Sequence, residues 1–320
     1  VTGAPFRTFS TCSSHCCSVG GVNTPARVGS ASVATGYLQL LRWRGVLLLS
    51  GGYRSAADAP NAGAGSYDRR MAETLPPAPE TLPSVPEDWH RALAVVAHPD
   101  DLEYGTASAV ARWTSQGKEV AYVLVTDGEA GIDGLSPAEA APVRREEQRR
   151  SAAVVGVDQV EFLGYPDGLV EADHRLRRDL AAAVRRHRPD VVVSINFRET
   201  FGQPGWNHVD HRNVGVALLD AVRDAGNRWV FTELVEEGLE PWPGVRFVAF
   251  GNSPQPTHGV DVTGHLDAGI ASLREHRVYL EGLPEGTMGT DPEAMLRGAA
   301  EAFGPRLGVE LAVPFEVIPF

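Results

Sequence analysis

The sequence has little cysteine and almost no lysine. All three cysteines, Cys12, Cys16 and Cys17, lie near the start, so the rest of the chain has no disulfide, no catalytic thiolate and no cysteine metal ligand. Together with His15 they are too crowded for a structural zinc module, which uses two spaced ligand pairs. Lys118 is the only lysine, so Schiff-base chemistry would have to use a residue in a predicted surface turn.

Long apolar runs and a net positive charge are also absent. No stretch approaches the roughly 18 apolar residues that cross a bilayer, so we expect a cytoplasmic protein without a membrane span. The formal net charge of −12 argues against nucleic acid bound through its phosphates. Residues 1–70 are the exception, because seven arginines and two aspartates give them a net charge of +5.

Composition divides the chain into three parts. Residues 1–70 are rich in Ser, Gly, Ala and Arg, and they cannot bury enough apolar surface to offset the entropy lost on ordering. The chain begins with Val1 and its first methionine is Met71. We therefore interpret residues 1–70 as a disordered or spurious extension read from a GTG start codon. A proline-rich lead-in over 71–90 and one folded domain over 91–320 are predicted to follow.

From residue 91 onward, short apolar runs alternate with longer amphipathic segments. This pattern is typical of βαβ units and predicts an α/β fold, a Rossmann-like, mostly parallel sheet flanked by helices. The predicted strands are Ala92–Ala97, Glu119–Thr126, Gln159–Leu163 and Asp190–Ile195. The predicted helices are Thr106–Gln116, Pro142–Val155, Leu176–His187, Val209–Ala225 and Leu266–Leu280. Less regular are the apolar segments Trp229–Val235 and Arg246–Phe250 and the last forty residues.

Two His/Asp clusters fall where an open parallel sheet binds its ligands, beyond the carboxyl ends of strands. His98, Asp100 and Asp101 follow the first predicted strand, where adjacent carboxylates repel each other unless a cation neutralises them. Helix capping would explain one aspartate, but it needs no neighbouring histidine. His208 and His211 open a helix after the fourth strand and share one helical face, which an ordinary surface helix would also allow.

Taken together, the two clusters predict a catalytic metal site. Three His and Asp ligands with an open fourth position are typical of catalytic zinc, which lowers the pKa of bound water to about 7 and polarises a carbonyl group. The remaining carboxylates and imidazoles would then be available for proton transfer. The sequence has no G-x-S-x-G, H-E-x-x-H or Walker motif, and no G-x-G-x-x-G follows the first strand.

The segment Val96-Ala97-His98-Pro99-Asp100-Asp101, with His208-Val209-Asp210-His211 downstream, resembles the LmbE-like (PIG-L) family of N-acetylglucosaminyl deacetylases. That family includes deacetylases of phosphatidylinositol-glycan, mycothiol, bacillithiol and glycopeptide-antibiotic pathways. The resemblance covers roughly residues 91–280 and implies the LmbE-like deacetylase fold.

The resemblance also implies a role for each residue of the two motifs. It implies that zinc, or another divalent metal, is held by His98, Asp101 and His211. It further implies that Asp100 is the general base and that His208 stabilises the oxyanion or protonates the amine, with Asp210 tuning His208.

Candidates for substrate contact come from the same resemblance. Arg144 matches an R-x-x-E pattern of the family, and Asp167 matches an acid after the third strand, so both are candidates for binding sugar hydroxyls. Surface charge on a helix and an aspartate in a turn would explain them equally well. Leu102 separates the motif from Glu103, where many members read HPDDE. Trp206 stands where some relatives have a tyrosine near the oxyanion, and we count it among the substrate-binding candidates.

The predicted reaction is zinc-dependent hydrolysis of an N-acetyl group from a glucosamine-like sugar conjugate, giving a free amine and acetate. A zinc hydrolase of another small amide or ester is the competing enzyme. A carbohydrate-binding protein without catalysis is a further alternative, although binding alone would need neither Asp100 nor His208. The expected partner is a small N-acyl amino sugar, and no nucleic acid is expected.

Overall fold

A computed structural model of the chain describes residues 81–202, 205–284 and 291–320. The predictions for the N-terminal extension, its cysteines and the first half of the lead-in, residues 71–80, lie outside these ranges. The described strands are β1 (Arg91–Val96), β2 (Glu119–Thr126), β3 (Gln159–Tyr165), β4 (Val191–Ile195), β5 (Phe247–Gly251), β6 (His258–Asp261) and β7 (Ala312–Pro319). The described helices are α1 (Ala107–Ser115), α2 (Pro137–Val154), α3 (His174–His187), α4 (Val209–Gly226), α5 (Thr232–Glu236), α6 (Leu266–Arg274), α7 (Arg277–Gly282) and α8 (Pro292–Leu307).

The described strands form one sheet in the order β3-β2-β1-β4-β5-β7-β6. The neighbours from β3 to β5 pair in parallel, whereas β7 runs antiparallel to β5 and to β6. The mostly parallel sheet that the alternating apolar runs predict is therefore confirmed.

The strand order reverses between β1 and β4. Residues 92–94 of β1 pair with residues 191–193 of β4. From β1 the chain proceeds outward through β2 and β3, and from β4 it proceeds outward in the other direction to β5. Ligands of open α/β sheets bind in the crevice at such a switch point. Because one His/Asp cluster follows β1 and the other follows β4, both reach this crevice.

Helices cover both faces of the sheet, because successive side chains of a strand point to opposite faces. On one face, Ala94 and Val96 pack in a buried cluster with side chains of α1, α6 and α8. On the other face, Leu93 and Val95 pack with α3 and α4. Burial on both faces explains why the central strands read as continuous apolar runs. No helix in the described ranges is long and apolar enough to cross a membrane.

Helix α2 begins earlier than the predicted start at Pro142. The backbone N–H and the hydroxyl of Ser136 both donate to the carboxylate of Glu139, at 3.0 and 2.6 Å, and the first of these bonds is the contact that Glu139 makes in a capping box. Pro137 occupies the first turn, where a missing N–H costs nothing. The start of α2 is therefore marked in the sequence by the Ser-x-x-Glu pattern of Ser136 and Glu139. Pro142, where the helix was predicted to begin, lies three residues after Glu139 and is inside the helix.

The C-terminal part departs further from the sequence prediction. The single helix predicted over Leu266–Leu280 is divided into α6 and α7 around the fully buried His276. The segment Trp229–Val235 forms no strand; it leads into α5, and Trp229 is exposed. The last forty residues contain α8 and the antiparallel strand β7, which the sequence pattern did not predict.

The end of the lead-in belongs to the folded domain. Val85 and Trp89 are buried in the same cluster as α1 and β1. Ser84 forms a β-bridge with Gly259, and the N–H of Leu82 donates to the carbonyl of Arg306. The packed structure thus extends past the predicted boundary at residue 91 to at least residue 82.

Candidate metal centre

The two His/Asp clusters meet at the carboxyl ends of β1 and β4. His98 lies in the turn that directly follows β1, and His208 is the N-cap residue of α4. The imidazole rings of His98 and His211 lie 5.1 Å apart between centroids, and those of His98 and His208 lie 5.0 Å apart. Residues that are more than a hundred positions apart in sequence therefore share one site.

The proton of His211 is located by its neighbour Asn207. The amide nitrogen of Asn207 donates to the carbonyls of Asn196 and Arg198 at 2.8 and 2.9 Å, which identifies the other amide atom as the oxygen. That oxygen lies 2.9 Å from Nδ1 of His211, so Nδ1 carries the proton and donates. Nε2 of His211 is left with a lone pair.

The proton of His98 is located in the same way. Its Nε2 lies 3.1 Å from a carboxylate oxygen of Asp167 and 3.2 Å from one of Asp210. Both neighbours are acceptors, so Nε2–H is the donor. In the neutral ring, which is the form that binds a metal, the lone pair is then on Nδ1. Such a carboxylate contact behind a histidine is typical of metal ligands, because it holds the ring and its tautomer in place.

The two lone pairs converge on each other and on Asp101. Nδ1 of His98 lies 3.1 Å from Nε2 of His211. The carboxylate of Asp101 lies 3.0 Å from His211 Nε2 and 3.6 Å from His98 Nδ1. Ligand atoms in a tetrahedral site with bonds of 2.0–2.1 Å are separated by about 3.3 Å. Three ligand-type atoms at this spacing fit a divalent cation between them.

The electrostatics of this cluster favour a positive charge at the same point. Burial by itself would lower the pKa of His98, but the carboxylates of Asp101, Asp167 and Asp210 raise it well above the ordinary value. Burial would likewise raise the pKa of Asp101, yet His211 and His98 hold it far below the usual range. The carboxylate of Asp101 is therefore anionic at neutral pH.

His208 faces the same space with a different tautomer. Its Nδ1 accepts a hydrogen bond of 3.2 Å from the backbone N–H of Asp210, so in the neutral ring the proton is on Nε2. Burial first, and then the neighbouring His98 and His211, lower the pKa of His208. The structure thus presents His208 as a neutral imidazole with a free N–H. Its ligand-type nitrogens also lie within 4.8 Å of those of His98 and His211.

Asp100 is buried beside the metal ligands and faces an arginine. Nη2 of Arg144 donates to the carboxylate of Asp100 and to the carbonyl of Pro99, both at 2.8 Å. The guanidinium of Arg144 also lies 4.0 Å from the ring centroid of Tyr279. Burial raises the pKa of Asp100, and Arg144 opposes this effect. The pKa values of the two adjacent aspartates are therefore shifted in opposite directions. Asp101 stays an anion, whereas Asp100 takes up a proton more readily than an ordinary aspartate.

The three substrate-binding candidates lie in unequal positions. Arg144 is 2% exposed, and its Nη2 is engaged with Asp100 rather than free for a sugar. Asp167 joins His98 to the loop after β2, because its second oxygen accepts from the N–H of Ala130 at 2.8 Å. Trp206 is 64% exposed, and the guanidinium of Arg212 lies 4.9 Å from its ring. Of the three candidates, only Trp206 presents a large exposed surface.

Asp210 and Asn207 also differ from what the sequence suggests. The carboxylate of Asp210 contacts His98 and accepts the backbone N–H groups of Gly168 and Val170 at 2.7 and 3.2 Å. It therefore contacts His98 and the loop after β3, in addition to His208, whose Nδ1 accepts the backbone N–H of Asp210 and whose pKa, which burial lowers, the Asp210 charge raises. The sequence pattern assigns no role to Asn207. Its position directly before His208, in the segment that also carries His211, is the only signal for it in the sequence.

Comparison with known proteins identifies the family of the chain. A family model described as PIG-L, GlcNAc-PI de-N-acetylase, matches residues 93–222. Diacetylchitobiose deacetylase of Thermococcus kodakarensis is 30% identical over 195 residues, which cover 59% of this chain and 70% of the relative. The chain belongs to the PIG-L (LmbE-like) family. The family resemblance and the enzyme class, an N-deacetylase acting on a non-peptide amide, are therefore confirmed.

Two further matches extend over most of their own length. The 1D-myo-inositol 2-acetamido-2-deoxy-alpha-D-glucopyranoside deacetylase of Mycolicibacterium vanbaalenii is 28% identical over 235 residues, covering 61% of this chain and 83% of the relative. The crystal structure of N,N'-diacetylchitobiose deacetylase from Pyrococcus horikoshii superposes with a TM-score of 0.64 at 28% identity. It covers 73% of this chain and 85% of that one. The fold predicted for the family is thereby confirmed.

Proposed function

We propose that this PIG-L family member hydrolyses the N-acetyl group of a glucosamine-like sugar conjugate in a zinc-dependent reaction, releasing a free amine and acetate. The observation that carries the proposal is the convergence of the ligand-type atoms of His98, Asp101 and His211, which lie 3.0 to 3.6 Å from one another. The sugar class is supported by the relatives, which are named for acetylated chitobiose and for an acetamido-glucopyranoside of inositol.

The donor set indicates which cation fits. Two imidazole nitrogens and one carboxylate suit zinc, and other first-row divalent ions accept the same ligands. His98, Asp101 and His211 would hold the ion. When bound, such an ion polarises a carbonyl group and makes water acidic enough to lose a proton near neutral pH.

Asp100 is the proposed general base. Its carboxylate neighbours the ligand Asp101, and burial raises its pKa toward the range where it can exchange a proton during turnover. We propose that Asp100 takes the proton of the attacking water. The same proton is then available for the amine when the carbon–nitrogen bond breaks, which leaves acetate and the amino sugar.

His208 is proposed to serve the carbonyl oxygen. Its Nδ1 is occupied by the backbone N–H of Asp210, so its Nε2–H is a fixed donor toward the site. A prepositioned donor stabilises the negative charge that develops on the oxygen in the transition state. The lowered pKa of His208 favours this role as a neutral donor over a role as a charged acid.

Trp206 is the proposed contact for the sugar or for the group attached to it. The indole is exposed and carries Arg212 near its ring, and an exposed aromatic surface can bury the apolar face of a sugar. Asp167 and Arg144, which the resemblance assigns to sugar hydroxyls, would first have to release His98 and Asp100.

The proposal is tested by amine release from a panel of N-acetylglucosamine conjugates. The purified protein is stripped with a chelator and then reloaded with zinc, and amine is quantified at each step. We expect activity that disappears with the chelator and returns with zinc. Activity that survives complete metal removal, or a zinc-loaded protein inactive on every acetylated sugar, would contradict the proposal.

Two variants separate proton transfer from metal binding. Asp100→Asn should lower kcat by about 10²–10⁴-fold while zinc stays bound, because the amide keeps a carbonyl oxygen for Arg144 but cannot accept the water's proton. His211→Ala should instead purify with substoichiometric zinc. Elemental analysis and kcat, measured on the same preparations, distinguish the two outcomes; full activity of Asp100→Asn would exclude Asp100 as the base.

A further inference from the structure

Asp100 adopts a backbone conformation that most residues avoid. Its φ angle is +85°, in the left-handed region that favours glycine and costs free energy for other residues. Surrounding contacts must therefore hold the residue in place. Arg144 contacts its carboxylate and the carbonyl of Pro99 on one edge of the peptide plane, which leaves the N–H on the opposite edge to be held by another residue.

The backbone of Asp100 is held by Gln148. The N–H of Asp100 donates to Oε1 of Gln148 at 2.9 Å, in a hydrogen bond that is buried from solvent. Gln148 and Arg144 are four residues apart on α2, which places them on the same helical face. Helix α2 thus contacts Asp100 at two points, its carboxylate and its backbone N–H.

The orientation of the Gln148 amide is decided by Glu103. Nε2 of Gln148 donates to Oε1 of Glu103 at 2.9 Å, and the hydroxyl of Ser151 donates to the same oxygen at 2.7 Å. A flipped amide would direct a carbonyl oxygen at the Glu103 carboxylate and an NH₂ group at the N–H of Asp100. Both contacts would be repulsive, so Glu103 allows only the orientation that supports Asp100.

The burial of Glu103 costs free energy, so a contribution to stability does not explain it. Glu103 and Gln148 are each 1% exposed. The only basic side chain found against Glu103 within the described residues is His276, whose Nε2 lies 3.8 Å from its other oxygen. A buried carboxylate without a close cation loses hydration that two hydrogen bonds only partly replace. Glu103 orients the amide of Gln148, and Gln148 in turn contacts Asp100. This indirect contact links Glu103 to the proposed reaction.

We propose that Gln148 and Glu103 are positioning residues that fix the general base Asp100. This inference rests on the proposed function, since Asp100 needs a fixed position only if it transfers a proton. Gln148 supplies the acceptor for the strained N–H, and Glu103 fixes the direction of that acceptor. Neither residue touches the metal ligands through its side chain in the contacts described above.

The first test is Gln148→Leu, which keeps the approximate size but removes both hydrogen bonds. We expect kcat on an N-acetylglucosamine conjugate to fall about 10- to 100-fold, because small displacements of a catalytic group have effects of this size. KM should change less than about twofold, and zinc content should equal that of the wild type. Zinc affinity is measured separately, by competition with a chromogenic chelator.

The matched control is Thr114→Val. The hydroxyl of Thr114 donates to the carbonyl of Val155 at 2.7 Å, at the far end of α2 from the site. This variant also removes a side-chain hydrogen bond that anchors α2, so it reports the effect of a less stable helix. We expect a lowered midpoint of thermal unfolding in both variants, but an unchanged kcat only in Thr114→Val.

The second test is a reciprocal exchange, which distinguishes positioning from a general structural role. Gln148→Glu alone brings two carboxylates together and should lower kcat. Combined with Glu103→Gln, it restores one amide NH₂ facing one carboxylate, while a carboxylate oxygen still accepts the N–H of Asp100. We expect the double variant to recover at least ten times the kcat of Gln148→Glu.

The possible results separate this inference from the proposed function. If the wild-type protein releases no amine from any acetylated sugar, the proposed function fails. If the wild type is active and Gln148→Leu retains its kcat, or if Thr114→Val loses kcat equally, the positioning role is wrong. Loss of zinc in step with kcat would likewise overturn it, since the defect would then be in the metal ligands.

Discussion

Asn207 shows how a residue without any catalytic group can decide what a metal ligand does. Its oxygen receives Nδ1–H of His211 and also the backbone N–H of His208, at 2.9 and 2.8 Å. Its nitrogen is tied to two backbone carbonyls, so the amide cannot turn. The lone pair of His211 therefore points toward His98 and Asp101 before any ion arrives.

Asn207→Ala should weaken metal binding without removing a ligand. Loss of an outer contact to a metal-binding histidine typically lowers affinity by about 10- to 100-fold, and we expect a loss in this range, measured by competition with a chelator. The control is Asn213→Ala in α4, the helix that carries His211, because Asn213 donates to the carbonyl of Val170 and not to a histidine. Equal zinc affinity in Asn207→Ala and the wild type would contradict this role.

Individual roles were only partly accessible from sequence. The residue types and spacing of His98, Asp101 and His211 indicate a metal site, and the structure brings all three together. Which carboxylate supports which histidine was not accessible. Asp210 lies two residues from His208 yet its carboxylate contacts His98, because that choice depends on how α4 packs against the loop after β1.

At the scale of elements, apolar periodicity identified the central strands and the helices between them. β2 has the predicted bounds, and α1, α3, α4 and β4 differ from the predicted bounds by a few residues at most. The failures lie where periodicity conflicts with other signals. Pro142 obscured the start of α2, and the buried His276 divides a segment that is amphipathic throughout into α6 and α7.

Helix α3 offers a test of a single capping contact. The carboxylate of Asp173 accepts the backbone N–H of Leu176 at 2.8 Å, which satisfies one of the free donors of the first turn. Asp173→Ala should lower the free energy of unfolding by about 1 kcal/mol, measured by urea denaturation, with kcat unchanged.

The control for α3 is an aspartate that makes only an exposed contact. Asp267 in the first turn of α6 pairs with Arg297 while its side chain is 89% exposed, and exposed pairs contribute little. Asp267→Ala should therefore leave the urea midpoint nearly unchanged. A loss of stability as large as that of Asp173→Ala would show that charge, rather than the cap, is responsible.

For the whole molecule, the buried tyrosines predict a loss of stability in alkali. Burial raises the pKa of Tyr104, Tyr122, Tyr165 and Tyr279 above the ordinary value. Above about pH 10 the unfolded chain loses these phenolic protons, whereas the folded protein keeps them. The folded state then binds more protons, so the free energy of unfolding falls as pH rises, by about 1.4 kcal/mol per pH unit for each group.

The loss of stability in alkali is measured as the urea midpoint at pH values from 8 to 11, which extend about one to two units around the ordinary tyrosine pKa. Tyrosinate absorbance is recorded on the same samples. We expect the described tyrosines to ionise only as the protein unfolds. Tyr122→Phe is the control, because its hydroxyl is buried without a hydrogen-bond partner. It should reduce the alkaline slope by about one proton at no cost in stability at neutral pH. A midpoint independent of pH above 10 would contradict the prediction.

The sequence by itself determined the layered α/β architecture, the position of two His/Asp clusters after two strands, and the family. These features depend on periodicity and on short spacings, which are local. Only the tertiary structure decided that β1 and β4 are neighbours, that Asp167 and Asp210 support His98, and that α2 grips Asp100 through Arg144 and Gln148. The positions of the Asp100 carboxylate and of the His98 ring depend on contacts with residues 44 and 112 positions away, and no local pattern encodes them.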